Sequence, residues 1–219
     1  MFARAKLASR GFVVAIMLIA TVRADAAAVF YEDFSDNDAG WVLGSEWQIG
    51  AASASSGHTS GNPDPSQDFT PTSDNGVAGA MLGGNVTTDI HFYRYLESPA
   101  IDTTSLTTAV LQYARWLNSD YTPYMNNTVE VYDGTAWNIV WQSGATPAVT
   151  DSAWTPQSFD ITPFSNAALR VRFGFNVDSA DALVVSGWNV DDVQIVPEPA
   201  SVGLVALLAG LAAQRRQSR

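Results

Sequence analysis

Cysteine is absent from this 219-residue chain, which excludes a disulfide scaffold, a thiolate metal centre and a cysteine nucleophile. Histidine is nearly absent. His58 lies in a polar stretch and His91 precedes Phe92-Tyr93, with neither the spacing nor the partners of a zinc site. No Gly-x-Ser-x-Gly elbow accompanies the many serines, so nucleophilic hydrolysis lacks its constellation. Glutamate is scarce too: between residues 30 and 196 there are only Glu32, Glu46, Glu97 and Glu130. None belongs to an alternating Glu-x-Asp-x-x-Glu run that would aim paired acids from one strand, as a sandwich-fold glycoside hydrolase needs. That enzyme class is disfavoured, with Glu97 and Glu130 the acids to test.

Positive charge is missing where most of the chain lies. Residues 30–196 hold Arg94, Arg115, Arg170 and Arg172 against 20 acids, a formal charge of −16. Such a surface repels phosphate backbones and anionic headgroups, which excludes nucleic acid as a partner, and it attracts cations. The length suits one domain with a substantial core, stable without disulfides.

The other basic residues mark the two ends. Arg4, Lys6 and Arg10 precede an apolar stretch from Gly11 to Val22, followed by Ala24-Asp25-Ala26 and Ala26-Ala27-Ala28. A basic region, a short apolar core and an A-x-A site describe a secretory signal peptide over residues 1–26, cut after Ala26 or Ala28. At the far end, Ala200 to Ala213 carries no charge. A helix of that length spans about 21 Å, short of the ~30 Å hydrocarbon core of a bilayer, so it is a marginal anchor. Pro197 and Pro199 separate it from the preceding strand. Arg215, Arg216 and Arg219 form a basic tip that stays cytoplasmic by the positive-inside rule, with the domain outside.

Val196-Pro197-Glu198-Pro199-Ala200-Ser201, an apolar run and an Arg-rich end, all within residues 196–219, resemble the PEP-CTERM protein-sorting tail. The basic cluster departs from that pattern only where Gln217 and Ser218 interrupt it. The resemblance implies export by the general secretion machinery across the inner membrane of a Gram-negative bacterium. It implies recognition of the tail by an exosortase, a membrane-embedded cysteine peptidase, with transient anchoring in the inner membrane before the protein reaches the extracellular space or cell surface. It also implies an association with exopolysaccharide and biofilm matrix.

Between the ends, residues 29–196 read as about ten strands: "VFYEDFSD", "EWQIGAAS", "GVAGAML", "YRYLESPAI", "LTTAVLQYARWL", "NTVEVYDG", "WNIVWQSG", "WTPQSFDIT", "LRVRFGFNVD" and "SGWNVDDVQIV". They are rich in β-branched and aromatic residues and bounded by Gly, Asp, Asn, Ser or Pro. In Leu169–Val177 the apolar residues alternate with Arg170, Arg172, Gly174 and Asn176, a half-buried strand. Asp133-Gly134 signals a hairpin. No amphipathic helix stands out, so the fold class expected is all-β, an antiparallel two-sheet jelly-roll sandwich. Trp137, Trp141 and Trp188 are expected in its core. The polar stretch from Ser53 to Asn75 is expected as a long loop, the most mobile part of the domain. The ordered blocks "YEDFSDNDAGW", "LESPAID", "LQYARWLN", "VEVYDGTAWNIVW", "RVRFGF" and "SGWNVDDVQI" resemble the MAM-like jelly-roll modules of secreted bacterial proteins. Animal MAM domains carry paired cysteines, so the likeness concerns fold. It implies a domain that binds or adheres rather than catalyses.

Two constellations are candidates for function. Glu32, Asp33, Asp36 and Asp38 near the first strand and Asp191-Asp192 on the last would converge if those strands are neighbours, as they often are in a jelly roll. Ca²⁺ takes six to eight oxygens, so one structural Ca²⁺ is a candidate cofactor there, and the MAM-like resemblance implies an ion near these ends. The alternative is that these acids are solvated turn residues or satisfy backbone donors. The loop "NSDYTPYMNNT" sets Tyr121 and Tyr124 among Asn118, Asp120 and Asn126, aromatic rings and polar groups suited to a glycan platform, or a loop folded on its own tyrosines. The leading expectation is a non-catalytic extracellular matrix protein that binds polysaccharide. The alternative is a purely structural acidic protein cross-linked by divalent cations.

Overall fold

A computed structural model describes residues 27–198 of the chain. The signal peptide expected over residues 1–26, Pro199, the apolar run and Arg215, Arg216 and Arg219 lie outside the described residues.

Among the described residues eleven strands form two antiparallel sheets packed face to face, a jelly-roll sandwich as the alternation implies. The first sheet runs in the order β3 (Trp47–Ala51), β4 (Gly76–Ala80), β11 (Gly187–Val196), β6 (Val110–Asn118), β9 (Thr155–Asp160). Its sixth member, β1 (Phe30–Glu32), pairs with the end of β11 beyond β4, with Glu32 opposite Val193. The second sheet runs β2 (Val42–Leu43), β5 (His91–Glu97), β10 (Arg170–Val177), β7 (Met125–Tyr132), β8 (Trp137–Gln142). Among the described residues the one helical element is a 3₁₀ turn, Thr162–Phe164. Of the ten expected strand segments each contributes a strand; the two-residue β2 is too short to show alternation and went unrecognised.

The core follows from the period-2 pattern. Val171, Phe173, Phe175 and Val177 of β10 meet Trp188, Val190, Val193 and Ile195 of β11 across the sandwich. Trp188, 1% exposed, packs against Trp47, Trp141 and Phe173 at ring separations of 6.1, 5.9 and 5.6 Å. Trp137 does not join them. One register shift against β7, between Val129 and Glu130, pairs Val129 with Trp141 but Glu130 with Ile139. The extra residue puts Trp137 and Ile139 on the outer face, although Trp137 and Trp141 share parity in the sequence.

The Ser53–Asn75 stretch is tied down over the outer face of the first sheet rather than left free. Trp116 Nε1 donates to Pro63 O and Trp154 Nε1 to Gln67 O, both at 2.9 Å. Asn189 Nδ2 donates to Asp64 Oδ1 at 2.7 Å, and Phe69 N to Asp191 Oδ2 at 2.7 Å. Ser55, Asp64 and Asp68 of the stretch are themselves buried. Polar composition concealed this, because the anchors are the same Asp, Asn and Ser residues that mark solvated turns.

Candidate functional site

The residues that alternate away from the core on β5, β10, β7 and β8 make one continuous outer face. Tyr93 and Tyr95 stack at 5.6 Å with their planes 15° apart. Arg172 lies 3.8 Å over the Tyr95 ring and 4.0 Å over the Trp137 ring, a cation held between two aromatic faces. Tyr132 leans on Trp137 at 5.4 Å, and Arg170 sits 5.9 Å over Tyr132. The rings are half-buried, and with Arg172 they run as a ridge across four strands.

Glu130 fixes this ridge from beneath. It is 5% exposed, and its Oε2 accepts from Arg172 Nε at 3.0 Å and NH2 at 2.6 Å. Its Oε1 accepts from Thr128 Oγ1 at 2.8 Å and from Tyr95 OH at 3.3 Å. Burial, the first cause, and the nearby Glu130 charge push the Tyr95 hydroxyl up to about 12, so it remains a donor throughout the physiological range. Gly174 lets the ring descend: a Cβ there would stand 2.4 Å from a Tyr95 ring carbon. Toward one end of the face Asn126 Nδ2 and Asn176 Nδ2 donate to the two oxygens of Asp178 at 2.6 and 2.7 Å. Asn176 Oδ1 is buried without a hydrogen-bond partner.

The two glutamates named for a glycosidase test, Glu97 and Glu130, both lie on this face, on either side of Arg172 in register, which puts their Cα atoms roughly 10 Å apart. Glu97 is paired with Arg170 at 2.9 Å and Glu130 with Arg172. Both carboxylates are committed to arginines, and Glu130 has all its near donors in place.

The other expected sites are dispersed. Of the glycan candidates only Asn126 reaches this face. Asn118 and Asp120 are buried: Asn118 Oδ1 accepts from Asn62 N, and Asp120 accepts from Tyr121 N and Leu183 N. Tyr121 and Tyr124 pack edge-to-face on each other at 5.2 Å, with Tyr124 against the core. They form a loop folded on its own tyrosines. Of the acidic set, β1 and β11 are neighbours as expected, but the side chains diverge. Glu32 turns to the Trp41 side, accepting from Trp41 Nε1 at 3.0 Å and Phe34 N at 2.9 Å. Asp33 and Asp36 accept from Ser35 N and Asp38 N within the turn. Asp191 holds Phe69 N, and Asp192 accepts from Tyr31 OH at 2.7 Å. Among the described residues no three His, Asp or Glu side chains are grouped to hold a metal ion.

The aromatic ridge itself was missed, though its signal is present. "HFYRYLE" alternates Tyr93, Tyr95 and Glu97, "RVRFGFNV" alternates Arg170, Arg172, Gly174 and Asn176, and "NTVEVY" alternates Thr128, Glu130 and Tyr132. What the sequence does not display is that these three strands are adjacent.

The chain matches no family model and no curated protein. Among solved structures it is similar to the CBM22-1 xylan-binding domain of Paenibacillus barcinonensis Xyn10C. That match has 12% identity and a TM-score of 0.40, and covers 81% of this chain and 98% of that one. It is also similar to TmCBM61, solved with β-1,4-galactotriose, at 11% identity and TM-score 0.43 over 76% of this chain and 99% of that one. A third is the K3 cleaved adhesin domain of Lys-gingipain from Porphyromonas gingivalis w83, at 13% identity and TM-score 0.40 over 78% and 99%. At such identities and scores no residue role transfers to this chain.

Proposed function

We propose that this is an exported, exosortase-sorted matrix or surface protein whose domain binds extracellular polysaccharide, without catalysis, through the outer face of the second sheet. The observation that carries the binding half is the ridge Tyr93–Tyr95–Arg172–Trp137, braced by the buried Glu130. Sugar rings present C–H faces that stack on aromatic rings, while hydroxyls need donors and acceptors close by. Tyr132, Asn126 and the exposed Asp178 supply these around the ridge. The side chains of the network already hold one another through hydrogen bonds and ring contacts, which lowers the ordering cost of binding. The sorting half rests on the Pro197-Glu198-Pro199 tail and the leader.

Affinity electrophoresis of the full-length protein through gels containing neutral and acidic polysaccharides tests the binding half. Retardation of wild type and its loss in Trp137→Ala and Tyr93→Ala is the expected result. Equal mobility of wild type in every gel overturns the reading. The sorting half is tested by intact mass from cells with and without the sorting peptidase: a tail lost only when the peptidase is present supports it, and a full-length tail in both refutes it.

A further inference from the structure

We infer a second saccharide contact on the opposite side of the sandwich, in a groove on the outer face of the first sheet. The groove stands without the ridge; only the bridging of two chains rests on the binding proposed there. It starts from the bulge in β11. Between Asp191 and Gln194 that strand holds one residue more than its partner β6, and Asp192 takes a left-handed φ of 49°. A non-glycine residue in that conformation is strained, and bulges of this kind re-aim side chains beside sites.

Two successive aspartates are thereby turned to the covering loop. Asp191 Oδ2 accepts from Phe69 N at 2.7 Å, and Asp192 Oδ2 accepts from Thr70 Oγ1. Phe69 is held on edge against Trp154, at 6.4 Å, and remains 39% exposed. Its ring forms the wall of a cavity of about 250 Å³, with Gln112, Gln194, Pro156, Ser158 and Asp192 around it.

The lining has the chemistry of a sugar contact. Gln194 Nε2 donates to Gln112 Oε1 at 3.1 Å, which fixes both amides and leaves one amide group with free N–H and the other with a free carbonyl oxygen. Ser158 adds a hydroxyl. The aromatic wall and Pro156 offer apolar surface for C–H groups. Asp192 makes the groove unsuited to uronic acids or phosphate-bearing sugars, so the class it fits is a neutral pyranose. Ligand clefts are usually ~300–1,000 Å³, so this one has room for a single ring: a chain end or one exposed unit, not an extended polymer.

With the ridge on one outer face and the groove on the other, the domain has two saccharide contacts pointing in opposite directions. One molecule then bridges two polysaccharide chains.

The test uses full-length protein with tryptophan indole nitrogens labelled, titrated with neutral oligosaccharides and followed by NMR. Trp154 reports the groove, through Phe69, and Trp137 reports the ridge. Saturable shifts at Trp154 that persist in Trp137→Ala, and that weaken about tenfold in Gln194→Ala while Trp137 shifts are unchanged, support a second site. Shifts confined to Trp137, with Trp154 unmoved up to saturation, overturn the groove and leave the ridge standing. Shifts at Trp154 alone support the groove and overturn the ridge. Shifts at neither overturn both. Gln112→Ala repeats the test on the paired amide, and a wild-type affinity in both variants refutes the groove even where Trp154 responds.

Discussion

Removing one buried charge should change how stability depends on pH. Asp64 is 3% exposed; its Oδ1 accepts from Asn189, while Oδ2 is buried without a partner. Burial pushes its carboxyl from 3.8 up to about 7, against the pull of its hydrogen bonds. A carboxyl whose folded pKa is raised holds, when folded, a proton that the unfolded chain has released. Its contribution is complete below about pH 4 and is lost as pH rises through about 7. Across the window from about pH 5 to about pH 8 the linkage amounts to roughly 2–3 kcal/mol. Asp191 is pushed up to about 7 chiefly by burial as well, so the wild type should lose roughly twice that over the same window. In Asp64→Asn the amide oxygen still accepts from Asn189. Its NH₂ takes the place of Oδ2, near the buried Ser186 hydroxyl. Urea unfolding at both pH values should find the pH-dependent loss about halved in Asp64→Asn, with the variant the more stable protein at the higher pH. A loss as steep as the wild type's would refute the account of Asp64.

Two further substitutions probe packing. Gly174→Ala brings a Cβ within 2.4 Å of the Tyr95 ring, an overpacking that should cost ~1–3 kcal/mol in urea unfolding and weaken polysaccharide retention together; unchanged values in both would show that Tyr95 does not rest on Gly174. Asp151→Ala strips Arg115 of its two-point contact at 2.9 and 3.1 Å and Leu117 N of its acceptor. That leaves a largely buried guanidinium and should cost ~3–5 kcal/mol, again by urea unfolding.

How much of this could be read from the sequence depends on whether the information is local. Alternation is local, so strands β1 and β3 to β11 are legible, with the inward faces of the longer ones apart from β8, and the adjacency of first and last strands follows from the jelly-roll expectation. The face of a residue beyond a bulge is not local. Trp137 and Trp141 share parity, and only the register against β7 separates them. The same limit hid the ridge, whose members come from four strands that are adjacent only in the sheet. Polar composition carries one consistent ambiguity: Asn118, Asp120 and Asp191 suit a ligand by residue type, and each accepts from the backbone N–H of a distant segment.

That last pattern explains how an acidic domain without lysines in its core region holds a long irregular segment in place. Backbone N–H groups in a loop need acceptors once they are covered, and a carboxylate is a stronger acceptor than a neutral oxygen. The cost is desolvation of the charge, which appears here as the raised carboxyls of Asp64 and Asp191. The Ser53–Asn75 segment is therefore held by groups that change charge near neutrality. Desolvation outweighs the stronger acceptor, so the docked segment favours the protonated carboxyls. The first-sheet groove, walled by Phe69 from that segment, should be firmest in mildly acidic solution, and neither aspartate belongs to the ridge on the second sheet. The Trp154 and Trp137 resonances of one sample, titrated at about pH 5 and about pH 8, separate the two: parallel responses at both sites would rule out a carboxylate-held wall.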